Sequence, residues 1–320
     1  MNLKETDLKL LSYLYHNNRE PLSKIARACK LTREQVNYKI KKYQEQGIIK
    51  GFFTLFDWSK FGYEYLVILL LKFEKPSSIK PFIHELKNSK NCLSFGKIYG
   101  KYDLYINAIF KNEKELGDYI AEIDTETNLL SDYLVLKPYL TELYPVKFFN
   151  HKNKEIISYD YKNMKARKFD SKEMQILKIL AKNTRARIID IANKINLSAE
   201  LTFYKIKKLQ KDKVIIGSRI QFDMEKLGYF FSLLMLNIKN FSKSKQEKIK
   251  HYASTSKYIN SLTFNLGKPN CTIQLFHKEE SELRKTIDEI KDLLKEESFD
   301  IEVILIGDDE GEVNPLPFVP

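Results

Sequence analysis

The chain has 320 residues, of which 43% are hydrophobic and 30% charged, and its formal net charge is +12. This length suits about two domain-sized cores, while no apolar run approaches a membrane span and the polar start MNLKETDLKL is unlike a secretory signal. Three widely separated cysteines without a CxxC pair exclude a disulfide framework and a zinc knuckle, so we expect a cytoplasmic protein without membrane association.

The first 54 residues predict three short helices and a wing. Leucines recur at helical spacing from Asp7 to Tyr15, and a second short helix follows at Leu22 to Ala28. Thr32 with Gln35 forms a capping-box pattern that begins a third helix, and Gly47 ends it. Three short helices with a tight turn before the third predict a helix-turn-helix unit, whose last helix enters the major groove of DNA.

The third helix carries the sequence YKIKK at Tyr38–Lys42, which recurs at Tyr204–Lys208. Its outward side chains suit hydrogen bonds to base edges and to phosphates. The predicted groove contacts are Arg33, Asn37, Tyr38 and Lys41 in the first copy, and Phe203, Tyr204, Lys207 and Lys208 in the second. The predicted phosphate contacts are Lys39, Lys42, Lys205, Arg19 and Arg185. An isolated YKIKK is more simply an amphipathic helix with solvated lysines, and the duplication is what favours DNA binding.

After each helical unit the pattern changes to strands and helices in the order βαββαβ. The first set runs from Tyr63 to Leu143 and the second from 229 to 306, which predicts two ferredoxin-like domains. Residues 150–167 are polar and basic, as in a linker, and the acidic, proline-rich end is expected to be extended. The expected domains are a winged helix-turn-helix (1–54), a ferredoxin-like effector domain (55–149), the linker (150–167), a second winged helix-turn-helix (168–220), a second effector domain (221–307) and the tail (308–320).

The two halves are copies of one unit, because ungapped matches at the same offset continue on both sides of YKIKK. A repeat of this length indicates a duplicated domain rather than a solenoid. The basic charge follows the duplication, since residues 1–50 carry +6 and residues 166–216 carry +8, which leaves the remainder slightly acidic. Such charge is expected of surfaces that bind a polyanion, here double-stranded DNA.

The order of short motifs in each copy resembles the leucine-responsive and asparagine-operon regulators (Lrp/AsnC). The motifs are N-x-R (Asn17 and Arg19; Asn183 and Arg185), then IA, L[TS], KIKK, [IV]I-x-G and F-D followed by L/F-G-Y. The resemblance covers nearly the whole chain in two passes. It implies an α+β fold with two winged helix-turn-helix domains and two effector-sensing, dimerising domains.

That resemblance also implies a function and an assembly. A chain that carries both protomers is expected to form an intramolecular pseudo-dimer, with its sheets face to face and its third helices on one side. The implied function is sequence-specific transcriptional regulation, without enzymatic activity or cofactor. Family members associate further through their sheet domains, so self-association is expected as well.

The turn GKYD matches the family's G-x-Y-D, near which small effectors, typically amino acids, bind. Gly100, Tyr102 and Asp103 are therefore the predicted effector residues, and an ordinary hairpin turn is the alternative interpretation. The second copy has GKPN at this place and lacks both the aromatic residue and the acid, which puts a second effector site in doubt.

Two other classes of protein remain open at this stage. The architecture is similar to that of the sirohaem decarboxylases, which would require an anionic-macrocycle pocket lined by histidine and arginine, and few arginines occur in the sheet regions. A non-specific chromosome-coating protein would use lysine–phosphate contacts without reading bases. The five histidines show no metal-ligand spacing, so no metal site is predicted.

Overall fold

The computed structural model describes residues 3–75, 77, 79–127, 130–149, 156–160, 166–295, 298–307 and 313–319. In the first half, every predicted helix and strand is present in the predicted order. The bounds are α1 (Glu5–Asn17), α2 (Leu22–Cys29), α3 (Arg33–Glu45), β1 (Ile49–Phe56), β2 (Tyr65–Phe73), α4 (Ile79–Leu86), β3 (Cys92–Tyr99), β4 (Leu104–Phe110), α5 (Glu113–Thr127) and β5 (Leu130–Leu143).

The second half repeats this order after an additional short strand. The bounds are β6 (Ile157–Asp160), α6 (Ser171–Lys182), α7 (Ile188–Ile195), α8 (Ala199–Lys211), β7 (Ile215–Phe222), β8 (Phe230–Ile238), α9 (Lys243–Thr255), β9 (Ile259–Leu266), β10 (Cys271–His277), α10 (Glu280–Leu293) and β11 (Phe299–Ile306). No helix in the described part of the chain is long and apolar enough to cross a membrane.

The two ferredoxin-like sheets join at their edges into one closed barrel. Strand order within the sheets is β5-β2-β4-β3 and β11-β8-β10-β9, the ferredoxin order in both cases. β5 pairs antiparallel with β9, and β3 pairs with β11 through only two residues, Tyr99 and Ile98. The sheets therefore face each other, as expected, and they also share an interior that eight hydrogen-bonded strands surround.

The two winged helix-turn-helix units are joined by an antiparallel ribbon of β1 and β7. Its central pair is Phe53 opposite Arg219, and these two residues occupy equivalent positions in the repeat. On either side the register is reciprocal, because Phe52 pairs with Ile220 and Thr54 with Ser218. A local twofold axis therefore passes through the Phe53–Arg219 pair.

Each helical unit is completed by the strand of the other unit. Ile220 and Phe222 of β7 pack into the core of the first unit, against α1 and α3. Phe56 of β1 is fully buried in the core of the second unit, beside Ile176 and Leu180 of α6. This exchange buries large apolar side chains that neither unit could bury alone, so the units stabilise each other.

The predicted linker and tail are more ordered than the sequence suggests. β6 lies within the linker, pairs with β5 and buries Ile157, whereas residues 150–155 and 161–165 lie outside the described residues. In the described part of the tail, Leu316 is buried in the second helical core and the Phe318 ring stacks on Tyr63 at 4.4 Å. The indole nitrogen of Trp58 donates to the carbonyl of Pro315 at 2.9 Å. Residues 308–312 and 320 lie outside the description.

The residue that ends the third helix differs between the two copies. Gly47 after α3 has φ +67°, and Lys213 takes the same left-handed conformation, φ +56°, after α8. Glycine adopts this conformation without penalty, whereas a side chain with a Cβ atom costs about 1 kcal/mol there.

We predict that Lys213→Gly raises the free energy of unfolding by about 0.5–1 kcal/mol. The change removes the backbone strain at this position, and this gain exceeds the small cost of the higher conformational entropy of glycine in the unfolded chain. The matched control is Lys211→Gly, the same change inside the last turn of α8, which should lower it by about 1 kcal/mol. Chemical denaturation measures the free energy of unfolding of wild type and of both variants. Equal changes in the two variants would show that the backbone at Lys213 is not strained.

Candidate nucleic-acid interface

Helices α3 and α8, here called the reading helices, present the predicted groove residues to solvent. Their orientation is fixed by buried stripes, Val36, Ile40 and Tyr43 in α3 and Thr202, Ile206 and Leu209 in α8. The opposite faces are open, and Tyr38 and Tyr204 are 66% and 64% exposed. The exposed residues of the prediction are Arg33, Asn37, Tyr38, Lys41, Lys42, Phe203, Tyr204, Lys207 and Lys208.

The start of each reading helix is fixed by a polar cap. The hydroxyl of Thr32 accepts from the backbone N–H of Gln35 at 3.2 Å, and the Gln35 side chain accepts from the Thr32 N–H at 2.9 Å. Ser198 caps α8 by accepting from the Leu201 N–H at 3.1 Å. The first cap confirms the N-cap predicted at Thr32, and both caps hold the first turn, which in a groove-binding helix lies nearest the bases.

Two of the predicted phosphate contacts, Lys39 and Lys205, are instead engaged within the protein. The ammonium of Lys39 forms an ion pair with Asp7 at the start of α1, and that of Lys205 pairs with Asp170 at 2.6 Å. Both lysines are only partly exposed. They lie on the flank of the reading helix, one position before the buried isoleucine, and therefore hold it against the first helix of its own unit.

Arg19 and Arg185 are also placed differently from the prediction. Arg19 donates to the backbone carbonyl of Thr184 in the other helical unit, and the Arg185 guanidinium lies 5.2 Å from the ring centre of Phe52 in β1. Both side chains cross from one unit to the other, and burial lowers the pKa of each. The arginines of the N-x-R motif thus form a joint between the units, and phosphate contact by Arg19 and Arg185 remains a prediction.

The GKYD turn makes internal contacts. Tyr102 is 3% exposed and lies inside the barrel with Leu70 and Ile98. One carboxylate oxygen of Asp103 pairs with Lys72 at 2.8 Å, and the other accepts from the Phe73 N–H at 2.9 Å. These contacts favour the hairpin interpretation, while effector binding by Gly100, Tyr102 and Asp103 remains a prediction.

A cavity of about 680 Å³ lies between the β1–β7 ribbon and one end of the barrel. Phe53 and Arg219 line it from the ribbon, Asn107 and Gln274 from the two sheets, and Pro315 from the tail. This site is not among the sites predicted from the sequence. Its signal is that Phe53 and Arg219 occupy equivalent positions of the repeat, so a partly buried aromatic residue in one copy is a cation in the other.

Arg219 lies at the centre of a chain of contacts between the halves. Its Nε donates to the Tyr15 hydroxyl at 2.6 Å, and that hydroxyl also accepts from the Asn260 amide at 2.7 Å. His16, next to Tyr15, is buried with 8% exposure. Burial, together with the positive charge of Arg219, lowers the pKa of His16 from 6.5 to about 4.

Comparison with known proteins supports the same units. A family profile described as winged helix-turn-helix DNA-binding matches residues 3–50 and 169–216. The HTH-type transcriptional regulator Ptr1 of Methanocaldococcus jannaschii is 32% identical over 120 residues, which are 38% of this chain and 80% of that protein. The HTH-type transcriptional regulator FL11 of Pyrococcus horikoshii is 26% identical over 118 residues, 37% of this chain and 78% of its own.

The two halves also match a solved structure together. The crystal structure of the siroheme decarboxylase NirDL aligns with 98% of this chain and 96% of its own, with a TM-score of 0.62 and 15% sequence identity. At that identity the likeness establishes a shared duplicated fold and nothing about chemistry.

We predict that acid destabilises the joint between the halves through His16. Because its pKa is lower in the folded protein than in the unfolded chain, the folded state loses stability as the pH falls from 6.5 towards 4. The loss should reach about 2–3 kcal/mol by pH 4.5. The free energy of unfolding of wild type and His16→Leu, measured between pH 7 and 4.5, should show a shallower pH slope in the variant. His251→Leu, at an exposed position, is the control, and equal slopes in all three proteins would contradict the assignment.

Proposed function

The chain belongs to the Lrp/AsnC family of winged helix-turn-helix regulators, in tandem form, and on that basis we propose that it binds specific DNA sequences to regulate transcription. The observation that carries the proposal is the outward, solvent-exposed YKIKK face of both reading helices. Tyrosines with 66% and 64% exposure share this face with several lysines, and DNA offers phosphates and base edges to both kinds of side chain.

The symmetry of the ribbon supports simultaneous binding by both helices. The twofold axis of an antiparallel ribbon is perpendicular to the plane of its two strands. Elements that this axis relates, such as α3 and α8, therefore lie on the same side of that plane. α3 and α8 would then face one stretch of duplex, as the two recognition helices of dimeric regulators do at half-sites about one helical turn apart. Here the two protomers are one polypeptide, so the second contact forms at a high effective concentration.

The two half-sites should differ in sequence. Asn37 can make a bidentate hydrogen-bond pair with adenine, whereas Phe203 at the equivalent position of α8 offers only apolar contact, for example with a thymine methyl group. The ammonium of Lys207 lies 5.6 Å from the centre of the Phe203 ring, which orders both side chains on the exposed face. The difference between Asn37 and Phe203 therefore predicts an operator whose two half-sites have different sequences.

The decarboxylase interpretation is less well supported by the chemistry of the cavity. A macrocycle with several carboxylates needs several cations, and histidine was expected in such a pocket. Among the described residues that line the cavity, Lys50 and Arg219 are the cations and no histidine is present. The names of the curated relatives likewise describe regulators. We therefore propose a non-enzymatic role.

We predict that Lys41→Ala combined with Lys207→Ala weakens DNA binding at least tenfold. It should also reduce the slope of log affinity against log salt by up to about two, because each lysine neutralises one phosphate or contacts one base edge. Fluorescence anisotropy at several salt concentrations, with fragments recovered from genomic DNA by the protein, measures both quantities.

The matched control is Lys114→Ala combined with Lys285→Ala, which removes the same charge from exposed positions on α5 and α10. Its affinity should stay within about twofold of wild type. Equal losses in the two double variants would mean that net charge, and not the reading helices, determines binding. If bulk DNA competes as well as the recovered fragment, the protein coats DNA non-specifically.

A further inference from the structure

We propose that the cavity between the β1–β7 ribbon and the barrel binds a small aromatic monocarboxylate. The binding site itself rests only on the cavity. Its influence on DNA binding rests on the proposed function.

The barrel is filled by side chains at one end and is hollow at the other. Seven buried side chains fill one end, namely Leu70, Ile98, Tyr102, Leu136, Leu233, Met235 and Ile304. At the other end the inward faces of the strands become polar and leave about 680 Å³ of space. An eight-stranded barrel either fills its interior with side chains or holds one small ligand, and this volume is typical of a ligand site.

The polar side chains of the cavity wall form specific hydrogen-bonded pairs. The Asn107 amide donates to Ser94 at 2.9 Å, and the Ser261 hydroxyl donates to the Gln274 carbonyl at 2.9 Å. Within the described residues each pair uses one group of its side-chain amide, which leaves the Asn107 side-chain oxygen and the Gln274 NH₂ for a ligand. Interior strand positions are normally apolar, so polar pairs from both sheets indicate a surface built for a polar guest.

The apolar part of the wall combines aliphatic side chains with several aromatic rings. Phe53, Trp58, Phe231 and Phe276 line the cavity, and Trp58 is stacked on Tyr159 with their ring centres 5.5 Å apart. Aromatic rings of a protein pack best against another flat ring. The body of the ligand is therefore assigned as a single aromatic ring system.

The charge of the wall selects an anion. In the described part of the chain, no carboxylate pairs with Arg219 or Lys50, although both line the cavity. Arg219 uses Nε and Nη2 for the Tyr15 hydroxyl, so Nη1 remains to bind a carboxylate. Arg219 and Lys50 are the cations among the described lining residues, which suits a ligand with a single negative charge.

The cavity opens to solvent beside the short β3–β11 pairing. Three of its lining residues are largely exposed, Tyr99 at 62%, Phe230 at 63% and Leu305 at 46%. β3 and β11 share only two residue pairs, so a ligand can enter there without unpairing the long strand contacts of the barrel.

The test uses the single tryptophan as a reporter. Trp58 lines the cavity, so its fluorescence should change when 3-phenylpropionate is added to the full-length protein without DNA. We expect a saturable, one-site response with a dissociation constant below about 1 mM, confirmed by calorimetry. The neutral 3-phenylpropionamide and the aliphatic anion propionate should each bind at least tenfold more weakly. No saturable response to 3-phenylpropionate, or equal binding of either analogue, would overturn the assignment.

The matched variants are Arg219→Gln and Arg284→Gln. The first removes the cation that faces the cavity and should weaken 3-phenylpropionate binding at least tenfold, whereas the second removes an exposed arginine of α10 and should leave binding unchanged. Because Arg219 also contacts Tyr15, Lys50→Gln is a second cavity variant at an exposed position, and it should weaken binding several-fold without loss of folding. Unchanged affinity in both cavity variants would refute the anion site.

The influence on DNA is measured separately. DNA affinity with saturating 3-phenylpropionate should differ several-fold from affinity without it, because the ribbon that carries both helical units forms one wall of the cavity. Unchanged DNA affinity would refute this coupling. Failure of DNA binding in all conditions would refute the proposed function but would leave the fluorescence titration intact, so the two failures are distinguishable.

Discussion

The antiparallel pairing of β1 with β7 is the constraint on which the rest of the molecule depends. Its reciprocal register about Phe53 and Arg219 sets the twofold relation between the helical units. The same strands then cross over, so that Phe56 completes the core of the second unit and Phe222 that of the first. One ribbon thus determines the relative position of the reading helices and the stability of both units. It also closes one side of the cavity.

Because the two halves are parts of one chain, equivalent positions near the twofold axis need not carry the same residue. In a dimer of identical chains, a residue on the axis meets its own copy, so an arginine there would face another arginine. In this chain Arg219 faces Phe53, and the positive charge is instead directed to Tyr15 and to the cavity. The same freedom allows Asn37 and Phe203 to diverge on the exposed faces of the reading helices. Asymmetry at the axis and asymmetry at the proposed DNA surface are consequences of the same duplication.

Local features of this fold are readable from sequence, whereas contacts between distant segments are not. Periodicity and caps predicted the helices and strands to within a few residues, and the repeat revealed two copies of one unit. The partners of Lys39, Lys205, Arg19 and Arg185 depend on tertiary packing, and lysine and arginine have the same sequence signature whether they face DNA or a carboxylate. The order of the tail could not be predicted either, because apolar residues such as Leu316 and Phe318 become important only through the surfaces against which they pack. The cavity did have a local signal in β9, where Ser261 and Thr263 alternate with apolar residues in a strand that is buried on both faces.

The position of the cavity gives a physical route from a bound molecule to the reading helices. Its walls belong to three parts of the molecule, the ribbon, the barrel and the tail. A ligand shifts a conformational equilibrium only by the difference between its affinities for the two states. A ligand held by the ribbon alone would have equal affinity for every position of the ribbon over the barrel, and would change nothing. Arg219 lies on the ribbon while Asn107 and Gln274 lie on the barrel, so a guest that contacts both has an affinity that depends on their separation. Because the affinity of such a ligand depends on the separation of the ribbon and the barrel, its binding would shift that separation. The shift would change how α3 and α8 contact a DNA duplex.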